Sequence, residues 1–258
     1  MNLIEHNRQA WERESRAGSE WCTPVGPAII EAARQGRWSV ILTPKRPVPA
    51  AWLGDLRGQR VLCLAAGGGQ QAPVLAAAGA WVTSFDLSAE QLRKDRQVAV
   101  REGLALACVQ GNMADLSALT PNCFDLVFHP IANVFVPDVQ PVWRECYRLL
   151  RPGGVLLAGF MNPAFFLFNH AEAETTGNLA VRYPLPYREP DSLSASERIA
   201  WRASGRAAEF SHSLEAQIGG QLRAGFVLTD LYEDSWSDEA TSLNRFSPVA
   251  IATRAVKP

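Results

Sequence analysis

Lysine is nearly missing from this chain: it stands only at positions 45, 94 and 257, although 25 residues are Lys or Arg. The basic side chains are therefore almost all arginine, which we read as a compositional bias and not as a site. Acids balance them to a formal net charge of −1, so no global field draws nucleic acid or an anionic membrane. With so few lysines there is no Tyr-x-x-x-Lys pair, and no Asn-Pro-Pro-Tyr motif occurs. No apolar run approaches the roughly 18 residues that a membrane-spanning helix needs. The first residues, Met-Asn-Leu-Ile-Glu-His-Asn-Arg, lack the apolar region of a secretory signal, and a cytoplasmic location is expected. The five cysteines (22, 63, 108, 123 and 146) are odd in number and scattered. No C-x-x-C pair is present, so neither a disulfide framework nor a metal site is expected. Cys63, Cys108 and Cys146 sit in apolar, periodic stretches and read as small buried hydrophobes.

What is present suits a globular protein. The chain has 258 residues, 47% hydrophobic and 20% charged, enough for one α/β domain plus an elaboration. Its centre is residues 60–87. Val61 to Ala66 is a short apolar run typical of a strand buried on both faces. Gly67, Gly68 and Gly69 let the backbone turn sharply and approach a ligand. Gln70 to Ala78 is helical, Trp81 to Phe85 is a second strand, and Asp86 ends it where open α/β sheets bind ligands. Gly67, Gly69 and Ala72 fit the dinucleotide pattern G-x-G-x-x-[GA], with Asp86 near the spacing of a ribose-binding acid. S-adenosylmethionine uses the same geometry, so this stretch alone leaves both cofactors open.

Around that centre, residues 1–55 form an N-terminal segment. Helices are expected at 3–17 and 27–35, and the proline-rich 43–49 reads as an extended loop. Trp11, Trp21, Trp38 and Trp52 either anchor the segment or belong to a lid over the crevice. Ser88 caps a helix that runs to Glu102 and stops at Gly103. A strand follows over 104–110, then a turn and a fourth strand within 122–130, then a helix from Val139 to Leu150 capped by Asp138. Arg151-Pro-Gly-Gly reads as a turn and Val155 to Phe160 as a fifth strand. The alternation implies a parallel sheet. Residues 163–210, rich in proline and aromatics, read as an insertion over the crevice. A helix from His212 to Ala224 and strands 226–232 and 248–253 return to the core, the last pair antiparallel because the gap between them is short.

In that order, five stretches resemble the motifs of the class I S-adenosylmethionine-dependent methyltransferases, in the branch acting mostly on small molecules. They are Val61-Leu-Cys-Leu-Ala-Ala-Gly-Gly-Gly, Phe85-Asp86-Leu-Ser, Gly111-Asn112-Met113, Phe124-Asp-Leu-Val-Phe-His129 and Leu149-Leu-Arg-Pro-Gly-Gly-Val-Leu-Leu. The resemblance implies a Rossmann-like, doubly wound, mostly parallel seven-stranded sheet with an antiparallel last strand and helices on both faces. It divides the chain into a lid segment (1–55), a cofactor-binding core (56–162), a substrate-covering insertion (163–210) and the closing part of the core (211–258). It implies S-adenosyl-L-methionine as cofactor, held by Ala65, Ala66, Gly67, Gly69, Gln71, Asp86, Leu87, Gln91, Asn112, Met113 and His129. Three departures stand out: Cys63 replaces a frequent acid, Ala65 a frequent glycine, and Asn112 a frequent Asp.

Methyl transfer needs alignment, exclusion of water and, for a protonated nucleophile, removal of a proton. His129 and His212 are the candidate bases, against the plainer reading of two structural histidines. Trp11, Trp21, Asn133, Phe165 and Tyr183 are the candidate acceptor contacts, and Trp236 reads as packing. The expected partner is a small-molecule acceptor, with no nucleic acid and no membrane. The alternatives are a non-catalytic S-adenosylmethionine-binding protein and an NAD(P)-dependent oxidoreductase.

Overall fold

The computed structural model describes residues 2–237 and 239–258. Seven strands make one sheet: β1 (Arg60–Leu64), β2 (Trp81–Asp86), β3 (Leu106–Gln110), β4 (Phe124–His129), β5 (Leu150–Met161), β6 (Val227–Asp234) and β7 (Ala250–Val256). Their order is β3-β2-β1-β4-β5-β7-β6. The first five are parallel, and β7 runs antiparallel to both β5 and β6. Strand order reverses between β1 and β4, so their C-terminal tips part into the crevice where such sheets take ligands.

The expected α/β architecture is present. Helices α1 (Leu3–Ala17), α2 (Pro27–Arg34), α3 (Ala50–Leu53), α4 (Gln71–Ala77), α5 (Ala89–Glu102) and α6 (Gln140–Leu149) accompany the parallel half. Helices α7 (His170–Thr176), α8 (Glu189–Ser192), α9 (Ala195–Ser204) and α10 (Gly220–Ala224) follow β5. Alternate residues of β1 feed opposite cores, as the two-residue period of a strand requires. Val61 and Cys63 pack with Leu75, Trp52 and Leu42 on one face. Leu62 and Leu64 pack with Trp143, Leu149 and Phe85 on the other.

Local chemistry accounts for the element ends. Ser88 Oγ accepts from the Gln91 N–H, and Gly103 ends α5 in the left-handed region. Asn2 caps α1 in the same way. Lys94 of α5 is buried, and its ammonium donates to the carbonyls of Ser15 and Cys22. That contact ties the N-terminal segment to the sheet side of the molecule.

Three expectations need correction. Arg151-Pro-Gly-Gly is not a free turn: β5 begins at Leu150, and the Gly153 N–H donates to the Lys257 carbonyl beside β7. The helix expected from His212 starts late, as a single π-turn over Glu215–Gly219 that passes into α10. There Gly220 lies so close to Trp143 that a Cβ would stand 2.6 Å from its ring. Helix α6 starts at Gln140, one residue later than expected, with Val139 as its N-cap, and Asp138 Oδ1 accepts from the Gln140 N–H. Among the described residues no helix is long and apolar enough to cross a membrane.

Candidate active site

The site grows from the turn between β1 and α4. Ala65 enters it with φ 49°, a left-handed backbone that alanine adopts at a cost. The Gly67 N–H donates to Asp86 Oδ2 at 3.1 Å, and the Ser88 N–H to Asp86 Oδ1 at 2.9 Å. A Cβ on Gly67 would stand 2.7 Å from the Gln91 Cβ and 3.0 Å from that carboxylate oxygen; glycine is what lets the turn lie against β2. Burial raises the Asp86 carboxyl to about 6.

Asp95 of α5 stands behind the turn. Its Oδ1 accepts from the Gly69 N–H at 2.7 Å and its Oδ2 from the Ser84 hydroxyl at 2.6 Å. Burial raises its carboxyl to about 7. The Cys63 thiol is pushed far up by burial and by the Asp95 charge nearby. An acid thus stands close to Cys63 in space although position 63 itself carries none.

Next to the turn lies a cavity of about 890 Å³, within the roughly 300–1,000 Å³ of small-ligand sites. Ala65, Ala66, Gly67, Gln71, Asp86 and Leu87 line one end, together with Gln91, Asn112 and Met113. Gly111 beside them carries no Cβ because one would stand 2.3 Å from the Phe85 ring. Gln91 donates to Cys22 Sγ, and its Oε1 is buried with no partner. An orphaned acceptor, a carboxylate at a strand tip and a turn without side chains form a cradle for a ligand rich in hydroxyl and amino groups. The residues present therefore fit an adenosyl cofactor.

The other end is apolar. Trp11 and Trp21 come from the N-terminal segment, Phe135 from the loop after β4, and Phe165, Phe166 and Trp236 from beyond β5. Trp11 meets Phe135 edge-on at 5.0 Å, and Trp236 meets Phe165 at 5.3 Å. The four N-terminal tryptophans thus divide. Trp52 is buried and donates to Asp230, and Trp38 packs on the core, whereas Trp11 and Trp21 face the cavity.

Five expected site residues stand elsewhere. Gly69 packs on Pro24 and lies outside the lining. His129 is fully buried behind the cavity, its Nδ1 2.9 Å from the Leu64 carbonyl and its Nε2 2.8 Å from the Asn133 side chain. Asn133 in turn bonds Gln217, so the ring belongs to a closed polar chain and burial keeps it neutral. His212 is buried against the Asn133 carbonyl at 2.9 Å. Neither histidine reaches the cavity, and Asn133 is held by both. Tyr183 packs edge-on to Tyr187 under the Arg182 guanidinium. Strand periodicity gives the face of His129 but not what covers it.

Sequence reasoning missed Gln70, Met161, Phe166 and Glu209, all in the lining. The last three follow β4 and carry no motif. A shallower depression of about 630 Å³ lies between 114–121 and α6. Its Arg148 and Glu145 pair with each other at 2.7 Å, and no glycine turn reaches it. Among the described residues no cluster of His, Cys, Asp and Glu could hold a metal.

Comparison with known proteins agrees with this geometry. Residues 62–158 match the methyltransferase domain family. The methyltransferase YbaJ of Bacillus subtilis (strain 168) is 45% identical over 99% of this chain and 98% of its own. A ubiquinone biosynthesis O-methyltransferase of Xanthomonas euvesicatoria pv. vesicatoria (strain 85-10) is 30% identical over 66% of this chain and 75% of its own. Among solved structures, an S-adenosylmethionine-dependent methyltransferase from Mesorhizobium loti superposes with a TM-score of 0.61 at 19% identity, covering 80% of this chain and 94% of the other. The oxidoreductase alternative finds no support here. The chain belongs to the class I S-adenosylmethionine-dependent methyltransferases.

Proposed function

We propose that this protein transfers a methyl group from S-adenosylmethionine to a small, largely apolar acceptor. One observation carries the reading: a single cavity runs from the glycine turn and Asp86 to the aromatic wall made by Trp11, Trp21, Phe135 and Phe165. The bound cofactor supplies a methyl group already activated by positive sulfur. The chain's part is to hold, align and dehydrate. Asp86 accepts the ribose hydroxyls, Gly67 allows the aminoacyl end to approach the backbone, and Gln91 Oε1 takes a donor from the ligand. Asn112 and Met113 hold the adenine, the amide by hydrogen bonds and the thioether by packing. The aromatic end excludes water, residues 1–55 act as a lid, and 163–210 supply the far wall. His129 and His212 have no proton-transfer role in this reading, because neither has a path to the acceptor.

A small acceptor is favoured over a polymer by the cavity's apolar lining and by the absence of a basic stripe. The Xanthomonas relative, a ubiquinone biosynthesis O-methyltransferase, points the same way. The test is transfer of labelled methyl from S-adenosylmethionine to a panel of small amines, phenols and carboxylates, with bulk tRNA and protein in parallel. Label in a small-molecule product is expected. Label entering only tRNA or protein would reject the acceptor class.

A further inference from the structure

The cavity as a whole has a charge pattern of its own. Among the described residues that line it are three acids, Asp86, Asp138 and Glu209, and no Lys, Arg or His. In a chain with 25 basic residues that is a one-signed field, focused by low-dielectric aromatic walls. Two of the acids are already engaged. Asp86 holds the glycine turn, and Asp138 accepts from the Gln140 N–H at the start of α6. The Glu209 carboxylate accepts no hydrogen bond from the described chain. Its backbone alone is fixed: its N–H donates to Glu189 Oε2 at 3.1 Å, and its carbonyl accepts from the Glu189 N–H at 3.0 Å.

The residues on either side of Glu209 are pinned to the cavity wall. The Ala208 N–H donates to Asn7 Oδ1 at 2.7 Å, and the Phe210 N–H donates to the Val134 carbonyl at 2.8 Å. Asn7 and Val134 themselves line the cavity, Val134 in the loop that leaves β4 at the switch point. Arg206, the cation that acts on its carboxyl, pairs with Glu189 at 2.7 Å. Glu209 therefore faces the cavity with a like charge behind it and no counter-charge of its own. Burial and the Glu189 charge raise its carboxyl to about 7, Arg206 opposing. A carboxylate so placed is satisfied by a ligand that brings a positive charge. The surrounding indole and phenyl faces also attract a cation.

We propose that Glu209 is the acceptor-recognition residue of this methyltransferase, and that the acceptor is a small apolar or aromatic molecule bearing an amino group. The amine enters as an ammonium, pairs with the carboxylate, and carries its apolar body against Trp11, Phe135 and Phe165. Acceptors bearing phosphate or carboxylate are repelled. This rests on the methyltransferase reading, since it assigns the cavity end that the cofactor leaves free.

Calorimetry on the full chain tests it with three phenyl-bearing probes, 2-phenylethylamine, 2-phenylethanol and 3-phenylpropionate, after saturation with S-adenosylhomocysteine. The amine is expected to bind at least about ten-fold tighter than the alcohol, with no binding of the anion. Near neutral pH amine binding should release a fraction of a proton, because a carboxyl raised toward 7 becomes fully ionised in the complex. Glu209→Gln should abolish both the preference and the proton release, and Glu209→Asp should keep part of each. The S-adenosylhomocysteine affinity of both variants reports folding and should match the parent. Equal binding of amine and alcohol, no amine binding, or an unchanged preference in Glu209→Gln would overturn the proposal. Failure of S-adenosylhomocysteine to bind the parent would instead overturn the cofactor reading, and the same titrations without it would still score Glu209.

Discussion

Ala65 is the residue at which the glycine turn departs most from what its backbone asks for. Its φ of 49° is a conformation that glycine adopts freely and alanine adopts at about 1–2 kcal/mol. Ala65→Gly should raise stability by about 0.5 kcal/mol, the relief of strain exceeding the added unfolded-chain entropy. A shift of the urea midpoint at constant slope measures it, and a lower midpoint would show that the alanine methyl contributes more through packing. Asp86 was legible from its place after a strand, and the structure adds its protonation chemistry. Raised to about 6 by burial, its carboxyl accepts ligand hydroxyls on both oxygens, and most strongly, when ionised. Cofactor affinity should therefore hold above pH 7 and weaken as pH falls through 6, by up to about ten-fold per unit. Asp86→Ala should weaken S-adenosylhomocysteine binding about 30-fold, the loss of hydrogen bonds to a charged group. A dissociation constant unchanged by the substitution would remove Asp86 from the site. Glu209 was illegible for a physical reason: it lies where no period or motif runs, and only the pairings of Ala208 and Phe210 with distant elements bring it to the cavity.

At the scale of elements, the sequence was readable wherever a cap or an alternation fixed the answer. Ser88 and Gly103 bound α5 at the expected residues, and the apolar runs of β1, β2 and β4 named the parallel core. It was unreadable where tertiary contact overrode local preference. Gly219 and Gly220 follow a helical pattern, yet close packing of Gly220 on Trp143 accompanies a π-turn. Arg151-Pro-Gly-Gly has turn composition and makes an irregularity inside β5, with Gly153 in the left-handed region, instead of a loop ahead of the strand. Nor did any pattern show that Lys94 faces inward to bind the N-terminal segment. Because its ammonium satisfies two carbonyls of that segment, Lys94→Met should free them at a cost of about 2 kcal/mol. Hydrogen exchange should then quicken through residues 3–22 ahead of the sheet, and cofactor affinity should fall several-fold as Trp11 and Trp21 lose their place. Uniformly faster exchange across the whole chain would instead make Lys94 a residue of global stability.

For the whole molecule, fold and charge act together. The sheet's switch point opens a crevice between β1 and β4, the glycine turn and Asp86 furnish one end of it, and aromatic side chains from opposite ends of the chain close the other. The two histidines weighed as candidate bases take the plainer, structural place, buried around Asn133 in the loop after β4. The central claim is that this cavity is an adenosyl-cofactor site. Its most direct test is calorimetric titration of the purified chain with S-adenosylmethionine and S-adenosylhomocysteine, with NADH alongside. Micromolar binding of both adenosyl ligands and no heat from NADH are expected, whereas NADH binding alone, or no binding of either adenosyl ligand, would contradict the claim.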